Sequence, residues 1–128
     1  MQMTHTHMIS NSTRRAGYGV LTALFLAAAA YELATDGAGW WQFFVFGAGP
    51  DLALFLGIGK GLEKGQLHPR AVPVYNALHR YWGPAALALL SIVLPAGYLV
   101  GALAWATHIS LDRCVGYRLR TRDGFQRP

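Results

Sequence analysis

Charge is what this sequence has least of. Asp, Glu, Lys and Arg make up only 13% of its 128 residues, against roughly 25% in soluble domains. A soluble fold of this length needs more charge than that to cover its surface. Cysteine is almost absent too. Cys114 stands alone, which excludes a disulfide framework and any paired-cysteine metal motif; it reads as a small residue at a helix end. Bases are missing from two long stretches, 16–59 and 81–112, although the net charge is +5. A basic face for nucleic acid would not leave such gaps, so no nucleic-acid partner is expected. A nucleotide loop is missing as well. The Gly57-Ile58-Gly59-Lys60-Gly61 run has no strand before it and no βαβ context after it, and reads as a helix end.

What fills the gaps is apolar sequence, which reaches 53% of the chain. It falls into four segments: Gly17–Ala34, 40–59, 71–94 and 95–115. Each is about as long as the ~20 residues a helix needs to cross a bilayer. Trp40-Trp41 and Phe43-Phe44 open the second segment as an interfacial aromatic belt would. Pro50, inside it, frees a backbone carbonyl and can bend the helix. The third is polar in its first half and plain Ala and Leu after Gly83-Pro84. Pro95 and Gly97 make the tight turn into the fourth.

The expected fold is therefore all-α, an integral membrane bundle of four transmembrane helices over 16–115. A flexible N-terminal tail, 1–15, containing His5 and His7, precedes it, and a basic tail, 116–128, follows. The two tails and the 60–70 loop are basic, whereas the 35–39 and 95–97 loops carry no base. By the positive-inside rule both termini and the 60–70 loop are expected in the cytoplasm, the protein being multi-pass in the inner (plasma) membrane. Arg14-Arg15, the apolar stretch and Ala28–Ala30 also describe a cleavable signal peptide. A retained first helix is the simpler account, since the later segments are equally apolar. The tail after Gly116 is expected to lie loosely along an anionic leaflet, its arginines near phosphates.

Orientation converts the buried polar residues into depths, at about 1.5 Å per residue. His79 and His108 come out roughly 10 Å, and Asp51 roughly 13 Å, from the cytoplasmic ends of their helices; Asp112 is nearer the surface. His108 and Asp112, four apart, share a helix face, with Trp105 one turn before them. Three helices thus bring Asp51, His79, His108 and Asp112 to one level, with Tyr75, Asn76, Arg80 and Arg113 in the neighbourhood. At least three of the four are expected around a common centre, because ionisable groups in a bilayer face the bundle interior and pair. Glu32, near the outer end of the first helix, is expected to snorkel to water instead.

Certain blocks resemble a known family: Pro50-Asp51-Leu52, Tyr75-Asn76-x-x-His79, His108-Ile109-x-x-Asp112-Arg113-x-x-Gly116-Tyr117-x-Leu119, and Gly124-Phe125. In that order, over about residues 18–125, they are similar to small polytopic membrane proteins catalogued as domain of unknown function 4260. The resemblance implies a four-helix integral membrane protein and supplies no activity. This chain departs from the pattern in a longer, more charged 60–70 loop. It also has no Thr-His-Leu-Gly segment after Phe125, so a site histidine there is not expected here.

Two readings stand. In one, His79, His108 and Asp112 bind Zn²⁺ or another divalent metal in a membrane hydrolase. Asp51 is then a fourth ligand or the general base that acts on water at the metal. In the other the protein is not an enzyme, and its polar cluster serves helix packing, oligomerisation or passage of protons or ions. The metal reading needs imidazole and carboxylate donors about 2.0–2.2 Å from one point. The packing reading needs Arg80 or Arg113 turned in against the carboxylates. The partners expected are the lipid bilayer and further copies of the chain.

Overall fold

A computed structural model describes residues 2–127, with side chains from residue 11 onward. Among the described residues the fold is all-α, and the sole β feature is an isolated bridge between Arg120 and Gln126. Helix α1 runs Gln2–Asp36. It takes in most of the stretch expected as a flexible tail, because nothing between Gln2 and the alanine-rich run breaks the helical ladder. Gly37, at φ 65°, stops it, with its N–H bonded back to the Leu33 carbonyl at 3.1 Å.

The second segment is α2 (Trp40–Ala48), a 3₁₀ turn over Gly49–Leu52, and α3 (Ala53–Leu56). Pro50 accounts for the tight turn, since it has no N–H to offer an α-helical ladder. The third segment is a 3₁₀ turn at Pro69–Ala71, then α4 (Val72–Leu78) and α5 (Trp82–Leu90). The break between α4 and α5 falls just ahead of Pro84, which sits in the first turn of α5 where a missing N–H is harmless. Helix α6 (Tyr98–Val115) is the fourth, opened by Gly97 at φ 106° and closed by Gly116 at φ 105°. Gly116 and Tyr117 both return their N–H groups to the Asp112 carbonyl.

Helix α6 is central: α1, α2 and α5 all pack against it. The turns at Gly37–Gly39 and Pro95–Gly97 meet at one end, so closely that a Cβ on Gly97 would lie 2.9 Å from Gly39 Cα. The other end collects the start of the α1 apolar run, the 57–68 loop and the C-terminal tail. There Arg15 Nε donates to the Cys114 carbonyl at 2.8 Å and Arg120 Nη1 to that of Gly65 at 2.9 Å. All the basic segments thus gather opposite the two base-free turns.

The tail is not loose. Thr121–Phe125 turns back, the Leu67 N–H donates to the Gly124 carbonyl at 2.9 Å, and Gln66 Nε2 donates to the Asp123 carbonyl at 2.8 Å. Gly124, at φ 96°, has no room for a Cβ against the Leu67 carbonyl. Asn76 holds the backbone of Arg120 from both sides, accepting its N–H at 2.7 Å and donating to its carbonyl at 3.0 Å. The sequence offered no periodicity there, and the order comes from a side-chain amide pairing with backbone as a strand would.

Alanines share the interior with Leu67, Val72, Tyr75, Leu87, Val100 and Ile109, while many large apolar residues face out. Ala29, Ala53, Ala71, Ala102, Ala104 and Ala106 are buried, whereas Ile92 and Val93 are each 81% exposed and Phe55 68%. Among the described residues only Asn11–Asp36 is by itself long and apolar enough to cross a membrane. Pro50 and the α4–α5 break divide the second and third segments, and α6 ends in His108, Asp112 and Arg113.

Candidate metal centre

Each of the four converging residues is placed by a local device. Asp51 sits in the 3₁₀ turn that Pro50 imposes. In such a turn an acceptor is bonded three residues on, so the Gly47 carbonyl would look to Pro50, which has no N–H. His108 takes that carbonyl, its Nδ1 donating at 2.7 Å. His79 is the last residue before the α4–α5 break. Its Nδ1 donates to the Tyr75 carbonyl at 2.7 Å, and its ring stacks on Tyr75 with centroids 4.0 Å apart. Asp112 follows His108 by one turn of α6.

A carbonyl only accepts, so both Nδ1 atoms carry hydrogen, and in the neutral imidazoles both Nε2 atoms present lone pairs. These two atoms face each other at 3.3 Å. The Asp51 Oδ1 lies 3.2 Å from His79 Nε2 and 3.1 Å from His108 Nε2. The Asp112 Oδ2 lies 3.4 Å from each of the same nitrogens. Each of the four residues offers a donor atom within 4.8 Å of all the others. Donors 2.0–2.1 Å from a tetrahedral centre are roughly 3.3–3.4 Å apart, so the five measured edges have the size a divalent ion requires. The donor chemistry suits one too, since such ions take neutral imidazole and carboxylate oxygen. The histidine N–H bonds to backbone carbonyls are what orients a ligating imidazole.

The cluster is enclosed on one side only. The His79, His108 and Asp112 side chains are 5%, 12% and 23% exposed, whereas Asp51 is 48% exposed. Asp51 is thus the edge open to the surroundings.

The remaining residues flagged in the sequence divide. Tyr75 forms the floor under His79. Arg113 does not turn toward the carboxylates: its Nη2 donates to the His79 carbonyl at 3.0 Å, and its guanidinium lies 5.6 Å from the Tyr18 and Tyr81 ring centroids. Arg80 is exposed and Asn76 serves the tail, so neither joins the cluster. Glu32 also stays outside it. Two contributors were not legible beforehand: the Gly47 carbonyl, and Arg120, 5.2 Å over the Tyr75 ring. For Gly47 the signal existed, as the carbonyl three residues before a proline in a tight turn. Trp105 closes the α4–α5 break by donating to the Leu78 carbonyl at 2.8 Å.

Neither the curated proteins nor the solved structures contain a match to this chain. A family model does match, over residues 18–128, a span that takes in all four converging residues and the folded tail. By that match the chain belongs to the family described as Domain of unknown function (DUF4260).

Proposed function

We propose that this protein is a multi-pass protein of the inner (plasma) membrane that holds a divalent ion, Zn²⁺ or a similar metal, and hydrolyses a substrate beside it. The observation that carries the metal reading is the four-donor cluster of His79, His108, Asp51 and Asp112, with nitrogen–oxygen distances of 3.1–3.4 Å and all four donor atoms within 4.8 Å of one another. Four lone-pair donors crowded that closely repel one another unless a cation lies among them or an imidazole takes up a proton and donates it to a carboxylate. Arg80 and Arg113, the protein's own candidates for that cation, are turned elsewhere.

The membrane reading rests on packing. Soluble proteins rarely expose large contiguous apolar surface, and helices in lipid associate through small residues. Buried Ala102, Ala104 and Ala106 on the central helix, beside exposed Phe55, Ile92 and Val93, fit the second pattern. Basic segments at one end and base-free turns at the other support four passes with both termini cytoplasmic. The proline-divided segments fit as well, because breaks in membrane helices are tolerated where neighbouring groups satisfy the freed carbonyls. Here Trp105, Arg113 and His108 do so for Leu78, His79 and Gly47.

Bound there, a divalent ion would polarise a substrate oxygen and make water easier to deprotonate. The residues divide the rest of the work. His79, His108 and Asp112 hold position, two of them through backbone carbonyls. Asp51, on the open edge, is the carboxylate able to take a proton from water or yield its place to substrate. One observation favours a second reading: four protein donors make a closed set, which is how structural ions are held. In that case the ion pins α6 to the second and third segments without chemistry.

Co²⁺-substituted protein in detergent separates the two. The expected result is visible bands of a four-coordinate ion that shift on adding azide, since a catalytic ion keeps or yields a position to solvent. Bands indifferent to azide assign the ion a structural role. A chain that takes up no Co²⁺ after apo-protein preparation overturns the metal reading.

A further inference from the structure

A second site lies beside the first, and its chemistry is that of an anion receptor. Between the start of the α1 apolar run and the C-terminal tail is a cleft of about 490 Å³ lined by Arg14, Arg15, Arg113, Arg118 and Arg127, with Tyr18. That volume falls within the roughly 300–1,000 Å³ of small-ligand sites. Among the described residues no acidic side chain lines it. Five guanidiniums come from three parts of the chain, so their meeting is a product of folding rather than of one basic run.

Two of these arginines are held by backbone carbonyls, which do not neutralise their charge: Arg15 Nε donates to the Cys114 carbonyl at 2.8 Å and Arg127 Nε to the Arg120 carbonyl at 3.3 Å. Arg113 is wedged between the Tyr18 and Tyr81 rings, and its buried Nε has no hydrogen-bond partner. Like charges gathered by the fold raise its energy unless something anionic is shared among them.

We propose that this cleft binds a phosphate group carrying close to two negative charges, the terminal phosphate of a monoester. Guanidinium forks match phosphate oxygens two at a time, and a monoester phosphate at neutral pH carries about −1.5 to −2 charges. A carboxylate offers one charge and two oxygens, fewer of both than a monoester phosphate. The phosphate stays in the cleft rather than reaching the His/Asp cluster. A pocket between them, shared through Arg113, Arg118 and Leu119 and bordered by His79 and Asp112, measures about 10 Å³, room for about one water. The site therefore stands independently of whether the cluster binds metal.

Two sources offer this chemistry. The cleft opens where the α1 apolar run begins at Gly17, so in a membrane-spanning chain it sits at headgroup level. Phosphatidic acid is the lipid with a monoester phosphate; inorganic phosphate is the soluble equivalent. The full chain, purified in nonionic detergent, is titrated with inorganic phosphate, and separately placed in phosphatidylcholine nanodiscs with and without phosphatidic acid. The readout is protection of each arginine from phenylglyoxal, followed by mass spectrometry, which needs no variant. Either ligand should slow modification of Arg14, Arg15 and Arg127 and leave exposed Arg122 unaffected. Protection by phosphate in detergent assigns a soluble ligand, and protection by phosphatidic acid alone assigns a lipid. Protection by neither overturns the proposal. Arg14→Gln with Arg127→Gln should weaken binding of the effective ligand about a hundredfold, tenfold for each fork lost. Lys60→Gln with Lys64→Gln, which removes the same charge elsewhere, should leave it unchanged. Equal losses in the two pairs would reduce the effect to general electrostatics and also overturn the site.

Discussion

Replacing His108 by alanine removes one member of the four-donor cluster and one anchor of α6 in the same step. Four-ligand structural zinc sites in small domains bind with about 10–16 kcal/mol, or roughly 2.5–4 kcal/mol for each ligand. At about 1.4 kcal/mol per decade the variant should lose ~10²–10³-fold in metal affinity. The fold suffers separately. The Gly47 carbonyl loses the Nδ1–H that reaches it at 2.7 Å, and an unsatisfied buried acceptor costs about 1–3 kcal/mol. Asp51 and Asp112 keep donor atoms within 4.8 Å of each other with one imidazole fewer between them. The assay is elemental analysis of detergent-purified wild type and His108→Ala after dialysis against a chelator, paired with thermal unfolding of both. Wild type should retain about one ion per chain and lose thermal stability when that ion is stripped; the variant should retain none and melt near the stripped wild type. Wild type that carries no metal, or a variant that keeps its full complement, would refute the cluster as a metal site. A fall of only about 1–3 kcal/mol with no metal in either protein would return the cluster to helix packing.

Three further outcomes follow from the same geometry. Cysteine introduced at Gln66 should be inaccessible to an impermeant reagent outside intact cells; labelling from outside would invert the topology. Gly124→Ala forces a Cβ onto the Leu67 carbonyl at a backbone angle of φ 96°, so protease on inside-out vesicles should clip the variant after Arg120 or Arg122 while sparing wild type. Equal resistance would mean that the tail is held by other contacts. Trp105→Phe keeps most of the ring but leaves the Leu78 carbonyl without its donor, which should lower stability by about 1–3 kcal/mol in denaturant; an unchanged midpoint would show that another group closes the α4–α5 break.

Much of this protein was legible in the residues because the signals are local. Alanine and leucine runs, Trp40-Trp41, the glycine-bearing turns and the two long stretches without a base located the helical segments, but not the breaks that divide the second and third. Depth could be counted at a fixed rise per residue, which brought Asp51, His79, His108 and Asp112 to one level. The blocks from Pro50 to Phe125 pointed to the family that the model match establishes. Residues 2–15 read as tail because they lack an apolar run, yet a helix propagates through polar residues once its neighbour is helical.

Counting along a helix gives height but not the direction a side chain takes around the axis relative to another helix. That direction was decided by tertiary packing. Alanines of α6 let α1, α2 and α5 come close, and the Pro50 turn and the α4–α5 break rotate Asp51 and His79 inward. Only that rotation brings two Nε2 atoms to 3.3 Å, and only the neighbouring carbonyls of Gly47 and Tyr75 choose which nitrogen carries the proton. Arg113 illustrates the limit best. One residue from Asp112 in sequence, it looked equally able to pair with the carboxylates. A step of one residue on a helix turns a side chain by about 100°, and that turn carries Arg113 out of the His/Asp cluster and to the edge of the arginine cleft.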